Sequence, residues 1–522
     1  MRTARGELII LVALLLIALA LRCYQLDIPS YTWDEITDRE IAFSYLARGD
    51  LTQADREPSQ ARFPIYLEAL VITLWNGSEV ALRSISVVAG LLSLLVIWRI
   101  GRRVFGPTVG LAALGLAVVN PFHLLLSRLS GTHGGAVLAL LYALALWILL
   151  AFWHGWQERS FGPLASRERW RLLLFGAVAG VATGAKLTGI LLLVNLLPIL
   201  IVGRRTWRRL VPWLLLSGVL WLAFFLLSSP IYLRPGNLLA AWRDQATHWE
   251  QIRGYQFMGQ IYDTLPLWYW GAVIPIKFTI PVALAFLFQV VWLIVHWRRI
   301  GPLPRVLAFN LFPLAAFVAR RWQSPTYATV LIVPVFVLAA RSLVQLGKVT
   351  VWGWRAGGLR QALGILAALV LLLVPIESTR VIAATHPDYL MTGYDLGDAV
   401  IGQFWGPAVF HCQGAGQALE YVSTQPPGDI LAPEACTLPL AYYRIVHDLP
   451  EIDFRSDLER PEDVLDYRYV VVPYSAIYMT SPYPLRQQSA VLRQGVERYC
   501  AAIYTYGLPG RDLFWAYRCD RS

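Results

Sequence analysis

The sequence predicts a polytopic α-helical membrane protein with about eleven transmembrane helices, external interfacial helices and a small C-terminal α/β domain. Three observations predict it: repeated long apolar runs, arginines in every second connection, and a tail of soluble composition. Of 522 residues, 57% are hydrophobic and only 15% charged, against about 25% charged in an ordinary soluble domain. The deficit gathers in runs of roughly 16–22 residues, long enough to cross a bilayer's hydrocarbon core as helices.

The first run, LIILVALLLIALALRC, follows Arg2 and Arg5 and has the look of a secretory signal. Arg22, not a small residue, precedes Cys23, which argues against a lipoprotein cleavage site, so the run reads as an uncleaved first span. By hydropathy the spans fall at roughly 7–24, 80–98, 107–125, 132–152, 171–186, 188–203, 210–229, 271–295, 306–320, 326–345 and 361–377.

Alternate connections between these spans are dense in arginine: Arg2/Arg5, Arg99/Arg102/Arg103, Arg159/Arg167/Arg169/Arg171, Arg204/Arg205/Arg208/Arg209, Arg298/Arg299/Arg305, and Arg341/Lys348/Arg355/Arg360. They hold hardly any acid beyond Glu7, Glu158 and Glu168. This positive-inside pattern puts the N-terminus in the cytoplasm and the C-terminus outside a multi-pass cell membrane protein. The net charge of +11 therefore marks topology and does not indicate a nucleic-acid partner.

Three segments on the outside exceed turns. Residues 25–79 read as two amphipathic helices, DEITDREIAFSYLARG and IYLEALVITLW, joined by a polar linker. Residues 228–271 combine a helical stretch, LLAAWRDQATHWEQI, with the aromatic run LPLWYWG, which fits an interfacial belt. Residues 378–522 form the tail domain, beyond a membrane module of residues 1–377. In the tail GQALEYVS looks helical, and GDILAP, YRYVVVPY and LFWAYRC look like strands of a small α/β fold. Its four cysteines allow three pairings. Sequential pairing, Cys412–Cys436 and Cys500–Cys519, is the expectation, with free thiols as the alternative.

The span interiors hold almost no Asp or Glu, while Arg83, Arg128, Lys186, Lys277, Arg320 and Arg321 stand at outer ends. Snorkelling accounts for any one of these. As a set they run against the positive-inside depletion, and they suggest an anionic ligand such as phosphate. Opposite them in composition is the first loop, PSYTWDEITDRE, with Asp34 and Glu35. A proton-coupled transporter would carry carboxylates within its helices. A carboxylate pair with a cationic rim instead suits an enzyme using a lipid-linked phosphate donor: one acid removes the acceptor's proton, and the leaving phosphate needs positive charge rather than an acid. The alternative for Asp34–Glu35 is local, a capping box from Thr32 to Glu35.

Taken together, IPSYTWDEITDREIA, RFPIYLEAL, NPFHLLLSRLSGTHGG, GVATGAKLTGI, HWEQIRGYQFMGQIYDTLPLWYWGAVIPIKFTIP and HPDYLMTGYDLGDAVIGQFWG resemble, in order, the family 39 glycosyltransferases. These belong to the glycosyltransferase-C superfamily and include the dolichyl-phosphate-mannose–protein mannosyltransferases and the lipid A aminoarabinose transferase. The resemblance implies a transferase that moves a sugar from a polyprenyl-phosphate donor to a hydroxyl of a protein, lipid or glycan, with inversion. It makes Asp34 the catalytic base and Glu35 its neighbour, which orients the acceptor or, with Asp34, a divalent metal. Arg62, Arg128, Lys186 and Lys277 fall at positions that bind donor phosphate, and His133 and His248 at positions for acceptor or donor contact. The alternative for His133 in GTHGG is a cap or a local hydrogen bond at a helix start, and His123, His296 and His447 lack metal-ligand spacing. RFPI stands where relatives often read His-Pro-Pro-Leu, and RRWQSPTY where they read Arg-His, which bears on the acceptor more than on the reaction. The contrasting reading is a lipid-linked-sugar transporter or a non-catalytic scaffold using the same cations.

Overall fold

The computed structural model describes residues 2–29, 33–48, 63–75, 77–130, 135–202, 207–251, 255–257, 260–262, 266–320, 325–356, 358–386, 412, 414–433, 436–454, 458–473, 485–508 and 511–519. Its contacts divide the chain into two compact units. The first comprises Met1–Tyr24, Ile41–Thr247 and Leu267–Arg380, and the second Gln25–Glu40, His248–Pro266 and Val381–Ser522.

The first unit is helical: α1 (Arg2–Cys23), the second half of α2 (Trp33–Arg48), α3 (Phe63–Trp75), α4 (Glu79–Phe105), α5 (Pro107–Val118), α6 (Pro121–Leu126), α7 (Ala136–Glu158), α8 (Ser166–Ala185), α9 (Leu196–Val202), α10 (Trp207–Ser228), most of α11 (Pro235–Gln251), α12 (Tyr269–Phe278), α13 (Ile280–Val295), α14 (Pro302–Phe309), α15 (Phe312–Arg320), α16 (Ile332–Ala356) and most of α17 (Gly358–Thr385). Among the described residues, six helices are long and apolar enough to cross a membrane.

Several runs expected as single spans are interrupted. The run at 107–125 is two helices because the Asn120 side chain accepts from the His123 N–H at 3.0 Å, while Pro121 has no N–H to continue the ladder. The run at 271–295 breaks at Thr279, whose φ of 68° is rare for a β-branched residue. The run at 306–320 divides where Asn310 ends α14 and returns its side-chain amide to the Val306 carbonyl at 2.9 Å. The run at 188–203 starts as a 3-10 helix, Leu187–Asn195.

The α8–α10 seam shows how helices approach closely in this unit. Gly176, Gly180 and Gly184 recur every four residues on one face of α8. A Cβ on them would lie 2.2 Å from the Ser217 carbonyl oxygen, 2.3 Å from that of Trp221 and 2.0 Å from Ser228 Oγ. Small residues let the backbones meet, and polar side chains then bridge them. Ser217 Oγ donates to the Leu172 carbonyl at 2.8 Å, and Trp221 Nε1 to Thr183 Oγ1 at 3.0 Å. At the arginine-rich ends the few acids are paired: Glu7 with Arg102 at 3.2 Å, and buried Glu168 with Arg159 at 3.2 Å and Arg171 at 3.7 Å.

The second unit contains the short antiparallel pair β1 (Tyr255–Phe257) and β2 (Gln260–Tyr262). The tail provides α18 (Ala415–Ser423), β3 (Ile430–Ala432), α19 (Thr437–Val446), β4 (Ile452–Phe454), β5 (Tyr469–Pro473), α20 (Leu485–Tyr499), β6 (Cys500–Leu508) and β7 (Arg511–Cys519). The sheet order is β4-β3-β5-β7-β6. β3 runs parallel to β4 and β5, and β7 antiparallel to β5 and β6. The run YVVVP is buried at every position, as a strand covered on both faces requires. One of those faces packs Val470 and Val472 with Val464, Leu492, Val496 and Trp515. Disulfides join Cys412 to Cys436 and Cys500 to Cys519, with Cα separations of 5.8 and 4.1 Å. β4, β6 and the β1–β2 hairpin add to the strands expected from sequence.

Candidate functional site

In the second unit, the acidic stretch forms the first two turns of α2. Asp34 lies in its first turn, and its side chain is outside the described residues, as is Thr32, the proposed capping partner. Glu35 and Asp38 are fully buried and stand one turn apart on the same helical face. Asp38 was not singled out from sequence, although its i, i+3 spacing from Glu35 is readable there. Beyond Ile41 the helix belongs to the first unit, where Tyr45 meets Tyr66 of α3 with ring centroids 5.7 Å apart.

In the first unit, the cations occupy ordered places. Arg83 is fully buried in α4. Arg128 follows α6 and is almost wholly buried. Its Nη1 donates to the carbonyls of Leu21, Arg22 and Tyr24 at 3.2, 3.1 and 2.7 Å, capping the end of α1 with positive charge where the helix dipole favours it. Lys186 follows α8 in extended backbone, φ −163° and ψ 136°. Its neighbour Ala185 shares an apolar cluster with Ala89 of α4 and Ala136 of α7, against which Phe63 and Leu67 of α3 pack. The start of α3 and the end of α8 are thus brought together. Lys277 is buried in the last turn of α12, and its carbonyl accepts from Asn120 Nδ2 at 3.2 Å. Arg62, His133 and Arg321 lie outside the described residues. His248 and Arg320 lie on α11 and α15, with side chains outside the description.

A buried polar hub went unread in the sequence. Arg22 Nη2 lies 2.8 Å from His123 Nδ1, and Ser93 Oγ lies 2.9 Å from His123 Nε2. A guanidinium only donates, so Nδ1 accepts and Nε2 carries the proton toward Ser93. Ser93 Oγ in turn donates to the Gly90 carbonyl at 2.7 Å. The hub fastens α1, α4 and α6 together, and Asn120 extends it to α12. The readable signal was a lone arginine ending an otherwise apolar span.

Among the described residues, no three His, Cys, Asp or Glu side chains gather as a metal site would need. Glu35 and Asp38 would supply two oxygen ligands of the kind that hard cations take.

Residues 59–229 match the family model described as dolichyl-phosphate-mannose-protein mannosyltransferase. That stretch contains Arg62, Arg128, His133 and Lys186, and it leaves out Asp34, Glu35, His248 and Lys277. No curated protein matches the chain. Among solved structures, ArnT from Cupriavidus metallidurans in the apo state aligns over 98% of this chain and 98% of its own, with 17% identity and a TM-score of 0.52. The same protein bound to undecaprenyl phosphate aligns equally far with a TM-score of 0.53. The archaeal oligosaccharyltransferase AglB from Archaeoglobus fulgidus, in complex with an inhibitory peptide and a dolichol-phosphate, covers 99% of this chain and 75% of its own, with 13% identity and a TM-score of 0.53. The chain therefore has the fold of ArnT and AglB and, over residues 59–229, resembles the dolichyl-phosphate-mannose–protein mannosyltransferases.

Proposed function

We propose that this protein transfers a sugar from a polyprenyl-phosphate donor to a hydroxyl acceptor at the outer face of the cell membrane. The observation that carries the reading is the end-to-end fold match to ArnT, which has been solved with undecaprenyl phosphate bound. The residue inventory supports it: an acidic helix in the first loop, and cations that follow helix ends assigned to the outside by the charge pattern.

Asp34 acts as general base. It takes the proton of the acceptor hydroxyl as that oxygen attacks the anomeric carbon, and the bond from that carbon to the phosphate oxygen breaks. Attack opposite the departing phosphate inverts the centre. The polyprenyl phosphate leaves as an anion, so the work on that side is electrostatic. Lys186, Lys277 and Arg62 hold the phosphate. Arg128, its Nη1 already committed to the end of α1, adds fixed positive charge. His133 and His248 contact donor or acceptor, and buried Glu35 orients the acceptor.

The test is transfer by the purified protein in lipid nanodiscs, given a panel of polyprenyl-phosphate sugars and acceptors and read by mass spectrometry. Free polyprenyl phosphate should appear only when acceptor is present. Asp34→Asn should lower kcat by about 10²–10⁴-fold, the usual share of a general base. Full activity in that variant would remove Asp34 from the mechanism. Movement of donor between leaflets without acceptor would replace the enzyme with a transporter.

A further inference from the structure

An isolated 16-residue helix as polar as α2 is marginal in water and needs tertiary support. A general base must also be held to within a fraction of an ångström of its productive position. Within the second unit, the chain on both sides of Asp34 is tied to the tail. Before it, Gln25 Oε1 accepts from His386 Nε2 at 2.9 Å, and the Ile28 carbonyl accepts from Gln417 Nε2 of α18. After it, Arg39 Nη1 donates to Tyr442 Oη of α19 at 2.7 Å, with the guanidinium carbon 5.0 Å from the Tyr442 ring centroid. Arg39 stands five residues beyond Asp34, about 7.5 Å along the helix.

The two gripping helices are themselves fixed to each other. The Cys412–Cys436 disulfide joins the approach to α18 with the N-cap of α19. Gly416 and Tyr443 pack so closely that a Cβ on Gly416 would lie 2.8 Å from the Tyr443 ring. We propose that the tail domain is a clamp on the acidic helix, with Arg39 and Tyr442 as positioning residues and the Cys412–Cys436 disulfide as its brace. Its catalytic meaning rests on the reading of Asp34 as base.

The experiment uses the full chain in nanodiscs and follows hydrogen exchange of residues 33–40 beside kcat and KM for a polyprenyl-phosphate sugar. Arg39→Ala should speed that exchange and lower kcat, each about tenfold, the worth of one charge-assisted hydrogen bond. KM for donor and exchange of β5 should stay unchanged. Arg39→Lys, which keeps a cationic donor, should recover most of both losses. Tyr442→Phe keeps the ring and removes the acceptor, and it should fall between the two. Cys412→Ser should speed exchange of residues 33–40 as well. Unchanged exchange in Arg39→Ala, or equal losses in Arg39→Ala and Arg39→Lys, would overturn the clamp. Full activity of Asp34→Asn would instead overturn only the base assignment, because exchange reports the clamp by itself.

Discussion

The α8–α10 seam and the tail sheet solve the same problem with opposite means. At the seam, glycines bring backbones together and hydroxyl and indole groups bond across, while large apolar residues such as Leu215, Val219 and Leu227 remain outward. In the sheet, three consecutive valines are buried without exposure and cysteines lock the ends. Lipid is as apolar as leucine, so burying leucine gains little there and contact geometry decides. Water rewards burial directly, and hidden valines with added covalent ties are the form that suits it.

Breaking the seam should have the largest effect. Gly180→Leu puts a side chain where the Trp221 carbonyl already stands, and overpacking of this kind costs ~3 kcal/mol or more when backbone blocks relief. The expected readout is loss of the monodisperse peak in size-exclusion chromatography. Next comes the tail's covalent tie: Cys500→Ser should cost about 3 kcal/mol, seen as proteolysis of the tail while the helical unit stays protected. Within the seam, Ser217→Ala removes one interhelical bond and should cost about 0.6 kcal/mol, a small drop in melting temperature. Smallest is Arg493→Ala, which breaks a solvent-exposed pair with Glu497 and should stay within about 0.5 kcal/mol. If Ser217→Ala proved as damaging as Gly180→Leu, hydrogen bonding rather than close approach would be what holds the seam.

What the sequence made legible follows the range of each signal. The α2 and α3 helices, the α11 stretch and the central strand YRYVVVPY are local patterns, and they were readable. The break at Thr279 was not, because nothing in a threonine announces a positive φ. The pairing of Arg22 with His123 spans 101 residues, beyond any periodicity. The stripe at Gly176, Gly180 and Gly184 was visible as spacing, but its partner α10 was not. For the site, residue types and their order could nominate Asp34, Glu35 and the cations. They could not reveal that Arg128 spends its Nη1 on the end of α1, or that Asp38 is buried alongside Glu35.

The hub at His123 has a consequence for assembly. The Arg22 guanidinium reaches the Ala18 carbonyl of its own helix, but its other partners, the Val118 carbonyl and His123, lie about a hundred positions further along the chain. Until α4 and α6 arrive, Arg22 sits at the end of its span, where a long side chain can reach the aqueous boundary. Docking then withdraws it from that boundary and exchanges water for imidazole and carbonyl oxygens. The seating of α1 at its Arg22 end thus depends on helices that follow it in the chain.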